Sequence, residues 1–146
     1  MIRFAVVISH PIQYFSPLFA RLAATPGIDL KVFYCCDWGV REYRDPGFDT
    51  SFAWDIPLLD GYEHEFLPIM RRPENLGFRE VDNPTVGERL AHYGADAVWL
   101  HGYSQRTQWR AWLWARGRAR RLFFGDSELL HRRPMASRMT KRLVLP

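Results

Sequence analysis

Apolar residues dominate the first eight positions, with Ile2, Phe4, Ala5, Val6, Val7 and Ile8 interrupted only by Arg3. A continuous run of β-branched and aromatic side chains suits a strand buried on both faces of a parallel sheet, so a strand is predicted over residues 2–9. The period then changes. Leu18, Phe19, Leu22 and Ala23 recur at helical spacing behind Ser16, read as an N-cap, and Pro17, read as the first helical residue, with Gly27 as the stop. Residues 28–36 return to a strand pattern. Strand, helix and strand in immediate succession form a βαβ unit, whose strands run parallel.

From 37 to 62 no period is sustained. Connections longer than about 12–15 residues are usually functional or disordered, and Trp38, Tyr43, Phe48, Phe52, Trp54 and Tyr62 argue here for a packed, ordered loop. A short strand is predicted over 63–67 and an irregular stretch over 68–82. Asn83-Pro84 reads as N-cap and first-turn proline of a helix ending at Gly94. A strand over 97–101, a helix over 104–116 stopped by Gly117, a strand over 121–125 and a helical segment from about 134 follow. This alternation predicts a Rossmann-like, doubly wound α/β fold with a mainly parallel sheet, in one domain over 1–146. No internal repeat or low-complexity segment is present. The last residues, Lys141-Arg142-Leu143-Val144-Leu145-Pro146, read as the middle of an element, so the chain is expected to continue into a further domain.

Composition adds little until it is divided along the chain. The 47% hydrophobic and 25% charged residues are those of an ordinary globular protein, and 146 residues fit one domain but not two. Residues 1–105 carry 9 Lys+Arg and 14 Asp+Glu, a balance of −5, whereas residues 106–146 carry 11 and 2, a balance of +9. Such a basic end can be a solvated helix face, can meet an anionic membrane, or can meet nucleic acid. No zinc-finger, KH or RNP signature accompanies it, so no specific nucleic-acid partner is expected. The two cysteines, Cys35 and Cys36, are adjacent, which precludes an ordinary disulfide and offers no zinc pattern; buried strand thiols in a reducing compartment are expected. The N-terminal apolar run is too short for a signal peptide, and the expected location is cytoplasmic.

In doubly wound sheets the ligand lies outside the carboxyl ends of the strands, where strand order reverses. After the first strand comes Ser9-His10-Pro11-Ile12-Gln13-Tyr14, which is neither the G-x-G-x-x-G of a dinucleotide fold nor a P-loop. It offers an imidazole, an amide and a phenol at a helix N-terminus, a set suited to hydroxyls and tolerant of an anion. The fourth predicted strand ends in His101-Gly102-Tyr103-Ser104, and the fifth in Gly125-Asp126-Ser127-Glu128. These three ends would converge on one crevice, unless each polar group merely caps its own helix. Ser127 lacks a G-x-S-x-G elbow and the cysteines lack a partner histidine, so covalent hydrolysis is poorly supported. No metal site and no cofactor are read from the chain. The candidate binding residues are His10, Gln13, Tyr14, His101, Tyr103, Asp126 and Ser127.

The segments Ser9-His10-Pro11-Ile12-Gln13-Tyr14-Phe15 with Pro17-Leu18, then Asp45-Pro46-Gly47-Phe48, then Trp54-Asp55-Ile56-Pro57-Leu58-Leu59-Asp60-Gly61-Tyr62, then His101-Gly102-Tyr103 and Asp126-Ser127, resemble the family 4 (group 1) glycosyltransferases of the GT-B fold. The resemblance implies an N-terminal acceptor-binding domain facing a C-terminal domain that binds a nucleotide sugar, with transfer that retains anomeric configuration and needs no metal. It also implies that the His10–Tyr14 loop lies between the domains near donor phosphate and acceptor, and that His101 belongs to the acceptor cleft. Many relatives carry a donor-contacting histidine where this chain has Asp126-Ser127-Glu128, and the family's acidic pair lies in the other domain. Catalytic residues are therefore unassigned. Arg132, Arg133, Arg138, Lys141 and Arg142 could meet anionic lipid at the inner face of a membrane, while Leu143 to Leu145 could equally be core. A non-catalytic module binding a saccharide or nucleotide is the alternative reading.

Overall fold

The computed structural model describes residues 1–40 and 57–125, and of the stretch between them only the backbone of 43–45 and 50–52. The predicted helical segment from about 134 and the basic cluster of residues 132–142 lie outside the described residues.

The first strand, β1 (Ile2–Ile8), occupies the centre of the sheet because both its faces are apolar. It pairs in parallel with β2 (Ile28–Tyr34) on one side, in register from Ile2 opposite Ile28 to Ile8 opposite Tyr34. Two short antiparallel strands, β3 (Tyr43–Asp45) and β4 (Thr50–Phe52), form a separate pair. β5 (Glu63–Phe66) lies outside β2, while β6 (Ala97–His101) pairs with the other side of β1 and β7 (Arg120–Phe124) with β6. The result is a five-stranded, all-parallel sheet of order β5-β2-β1-β6-β7, a Rossmann-like α/β architecture.

Strand alternation divides the core in two. Val6, Ile8, Leu30, Val32 and Tyr34 face α1 (Ser16–Ala23), which contributes Phe19 beside Phe15. Ala5, Val7, Phe33, Val98 and Leu100 face α2 (Val86–Tyr93) and α3 (Arg106–Ala115), which contribute Leu90, Ala111 and Ala115. Phe19 is fully buried, and removing such a side chain from water stabilises the fold by about 1.5–3 kcal/mol.

Two helix starts differ from the sequence reading. Ser16 is not the cap of α1: its hydroxyl donates to the buried Leu58 carbonyl at 2.7 Å, and Phe15 holds the cap position. Asn83 is not the cap of α2 either, since Thr85 holds that position and Asn83 is fully buried. In both cases a hydroxyl or amide that could bond its own helix bonds a distant strand or loop carbonyl instead, because that carbonyl is buried and lacks water. The stop at Gly94 is as read: its φ of 70° is left-handed, and its N–H bonds the carbonyls of Leu90 and Ala91.

The end of the long 37–62 connection is fastened to α1. The Tyr62 hydroxyl meets that of Tyr34 at 2.7 Å and donates to the Leu58 carbonyl, and its ring packs edge-on to Phe19. Gly61 passes so close to α1 that a Cβ there would lie 3.1 Å from that of Ala20. Within this connection the β3–β4 pair appears where no strand period is legible.

Candidate functional site

The order in which strands are added reverses between β1 and β6. From β1 the chain crosses to β2 and outward to β5, then returns to the far side of β1 as β6 and continues outward to β7. In doubly wound sheets the ligand crevice lies at such a reversal, between loops leaving the carboxyl ends of the strands. His10 follows β1 and His101 ends β6, so the two imidazoles stand on either side of this reversal, near enough for His101 to affect the His10 pKa.

His10 is held from several sides. Its Nδ1 lies 2.9 Å from the Ser9 hydroxyl, and the Trp38 ring stands edge-on with its centroid 6.5 Å away. The Ser9 carbonyl is fixed in turn, accepting the Cys36 N–H at 2.9 Å and the Cys36 thiol at 3.3 Å. Burial, with a smaller contribution from the neighbouring His101, pulls the His10 pKa down to about 4. At neutral pH His10 is an uncharged imidazole. Its Nδ1 faces Ser9.

His101 is framed by rings. Phe15 stands edge-on at 4.5 Å between centroids, Phe124 stacks at 5.1 Å and 23°, and Trp99 lies 6.4 Å away along the same strand face. Phe124 is 41% exposed, so one of these rings is open to solvent beside the imidazole. Alternation places Trp99 and His101 on the α1 side of β6 and Val98 and Leu100 on the other.

The remaining candidates divide. Gln13 and Tyr14 lie at the entry to α1 and are exposed, Tyr14 at 64%. Tyr103 does not join the histidines. Gly102, at φ +87°, turns the chain, and the Tyr103 ring stacks on Phe123 at 5.8 Å on the α3 side, where its carbonyl accepts the Trp109 indole N–H. A Cβ at Gly102 would meet nothing within 4 Å, so this glycine is needed for its backbone angle and not for close approach. The hollow beside Tyr103, lined by Leu100, Gln108, Trp109, Trp112 and Phe123, has a volume of about 20 Å³, room for a water but not for a sugar. Asp126 and Ser127 lie outside the described residues.

The start of α1 has part of its N–H set engaged. The N–H groups of Phe15 and Ser16 both bond the Ile12 carbonyl, at 3.0 and 3.2 Å, and Pro17 has none. Both cysteines are free and buried, and burial raises the pKa of each, that of Cys36 to about 11, so both are held as thiols at neutral pH. Among the described residues no group of three or more His, Cys, Asp or Glu side chains could hold a metal ion, and no helix is long and apolar enough to cross a membrane.

A second polar cluster sits beyond β2 and β5. The Asn83 amide nitrogen reaches the carbonyls of Cys35, Leu67 and Pro68 at 3.0, 3.3 and 3.0 Å, and its oxygen accepts the Thr107 hydroxyl at 2.7 Å. The described arginines of the basic end are dispersed. Arg106 and Arg110 bond Asp82, whose pKa is lowered chiefly by the Arg110 bond, and Arg121 lies over the Trp112 ring at 4.5 Å. Arg120 begins β7, at the edge of the sheet away from the histidines.

Around the two histidines the structure places Ser9, Phe15, Trp38 and Phe124, which the sequence reading did not name as candidates. Their signal was position: Ser9, Phe15 and Phe124 lie within two residues of a strand end or of His10's own loop, and Trp38 lies four residues after β2, the neighbour of β1. No protein-family model matches the chain, and no curated protein and no solved structure matches it.

Proposed function

We propose that this chain is the acceptor-binding, N-terminal half of a glycosyltransferase of the GT-B type, moving a sugar from a nucleotide-sugar donor to a hydroxyl of a glycan, lipid-linked or small-molecule acceptor. The observation that carries the reading is the meeting of His10 and His101 at the strand-order reversal. There a doubly wound sheet opens its ligand crevice, and the sequence around both histidines resembles the family 4 enzymes. Neither a glycine-rich phosphate loop nor a nucleophile elbow competes for the place. Family membership, the retaining outcome and contact of the basic end with an anionic membrane belong to the same proposal.

The chemistry is one of alignment. Glycosyl transfer needs an acceptor hydroxyl held against the anomeric carbon with water excluded, and well-oriented reactants can contribute several kcal/mol to a lowered barrier. A neutral imidazole can accept a proton from a sugar hydroxyl or donate to its oxygen. The rings of Trp38, Phe15 and Phe124 supply a water-poor wall. Charge stabilisation on the leaving nucleotide would come chiefly from a donor-binding domain.

The test is transfer from a panel of nucleotide sugars by the natural polypeptide that contains this chain. His10→Ala and His101→Ala should each lower kcat/KM by about 100-fold or more. Unchanged transfer in both variants removes the site. Turnover by residues 1–146 alone contradicts the division of labour, and saccharide binding without transfer in any context favours a non-catalytic binding module.

A further inference from the structure

We propose that the Ser9 hydroxyl donates to Nδ1 of His10 and so holds the imidazole in the tautomer with its proton on Nε2, making His10 a hydrogen-bond donor to the ligand and not a base. The inference rests on the acceptor-site reading and assigns the part that His10 plays in it, with Ser9 as a positioning residue.

Ser9 directly follows β1 and is buried, at 8% exposure. Its backbone is pinned, because its carbonyl accepts the Cys36 N–H at 2.9 Å and the Cys36 thiol at 3.3 Å. The start of the loop is thereby tied to the residues just after β2. This holds the hydroxyl 2.9 Å from His10 Nδ1, and among the described residues that nitrogen is its one hydrogen-bond partner. On the other side of the ring, Trp38 stands edge-on and limits how far the imidazole can turn.

The His10 pKa, pulled down to about 4 chiefly by burial, leaves the ring neutral at physiological pH, so its tautomer decides what it offers. A hydroxyl hydrogen rotates to suit an acceptor, and a neutral imidazole has one N–H and one bare nitrogen, so the Ser9 contact has two possible directions. With Nδ1–H as donor, the Ser9 hydrogen is buried without an acceptor, which is costly. With Ser9 as donor, both atoms of the contact are matched. The remaining N–H, on Nε2, then lies away from Ser9 on a ring that is only partly buried. The second arrangement is favoured by about tenfold or more. An N–H at Nε2 binds a ligand oxygen through its lone pair. The proton lost by an acceptor hydroxyl during transfer must then go to a group other than His10.

The experiment has two readouts. Long-range proton–nitrogen correlation NMR on this chain, labelled with nitrogen-15 in its histidine rings, should show His10 Nδ1 bare and Nε2 protonated at neutral pH. Ser9→Ala should let the two tautomers mix and draw both nitrogens toward intermediate shifts, while Ser9→Thr, which keeps the hydroxyl, should hold them apart. A protonated Nδ1 in the unaltered chain overturns the proposal, and that spectrum decides the direction of the bond even if a variant fails to fold. Unchanged ring shifts in a folded Ser9→Ala chain overturn it as well. The second readout is transfer by the natural polypeptide that contains this chain. His10→Gln, which keeps an N–H donor, should recover about tenfold in kcat/KM over His10→Ala, and His10→Glu, which has none, should recover nothing. Recovery by Glu, or equal loss in all three, overturns the donor role and leaves the acceptor site in place. Loss in none of them removes the acceptor site itself, whatever the tautomer.

Discussion

The carboxyl edge of the sheet carries two polar clusters built in opposite ways. Beyond β2 and β5, Asn83 is fully buried, and its amide is matched to the carbonyls of Cys35, Leu67 and Pro68 and to the Thr107 hydroxyl. Between β1 and β6, His10 and His101 are half-buried, His101 helps to lower the His10 pKa, and the exposed Phe124 ring stacks on His101. A polar group whose partners are all supplied by the protein holds the fold together. A pair of imidazoles held partly desolvated at a strand reversal carries a cost that folding alone does not require, which is why we propose it as a site. The first cluster ties the connection after β5 to the sheet, and the second faces whatever enters the crevice.

That contrast can be broken by measurement. The largest effect should come from Asn83→Ala. It leaves buried carbonyls without a donor and should lower stability by about 4 kcal/mol in urea unfolding. A loss below about 1 kcal/mol would mean that the cluster is not structural.

Next comes the pH dependence of His10. Its folded pKa, about 4, lies below the ordinary histidine value of 6.5, so the unfolded chain binds more protons between those values. Stability is therefore full above pH 6.5 and falls as pH drops toward 4, by up to about 3 kcal/mol from this group. His10→Gln should flatten that part of the curve, and an unchanged slope would place His10 in an open, solvated position.

How much of this was legible in the sequence differs between the clusters for a physical reason. β1 and β2 declare themselves because strands buried on both faces must be continuously apolar, and His10 and His101 follow directly from where those strands and β6 end. Asn83-Pro84 has the local chemistry of a helix start, but its destination is set by carbonyls 15 to 48 residues away in the chain, which no local pattern records. Ser16 is misread in the same way, its partner being Leu58. Tyr103 follows His101 by two positions, and its separation from the site depends on the left-handed turn at Gly102. The β3–β4 pair escaped because each strand has three residues, too few to show a period, although Pro46-Gly47 between them is a turn dipeptide.

Smaller changes sharpen the same contrast. Ser16→Ala removes the buried bond to Leu58 and should cost about 1–2 kcal/mol in urea unfolding, loosening the loop end against α1. Equal stability would show that Tyr62 alone holds that loop. Arg110→Ala breaks a partly exposed ion pair with Asp82 and should shift stability by only about 0.5 kcal/mol. A loss of several kcal/mol would reveal that the basic face of α3 is structural after all.

The central claim is that His10 and His101 form one ligand crevice, and imidazole-detected NMR tests it most directly. Titrating the chain with a neutral methyl glycoside should move the ring resonances of both histidines together, with one saturation curve, while those of His64 and His92 stay in place. Binding that leaves His10 and His101 unmoved, or that moves only one of them, would contradict the account.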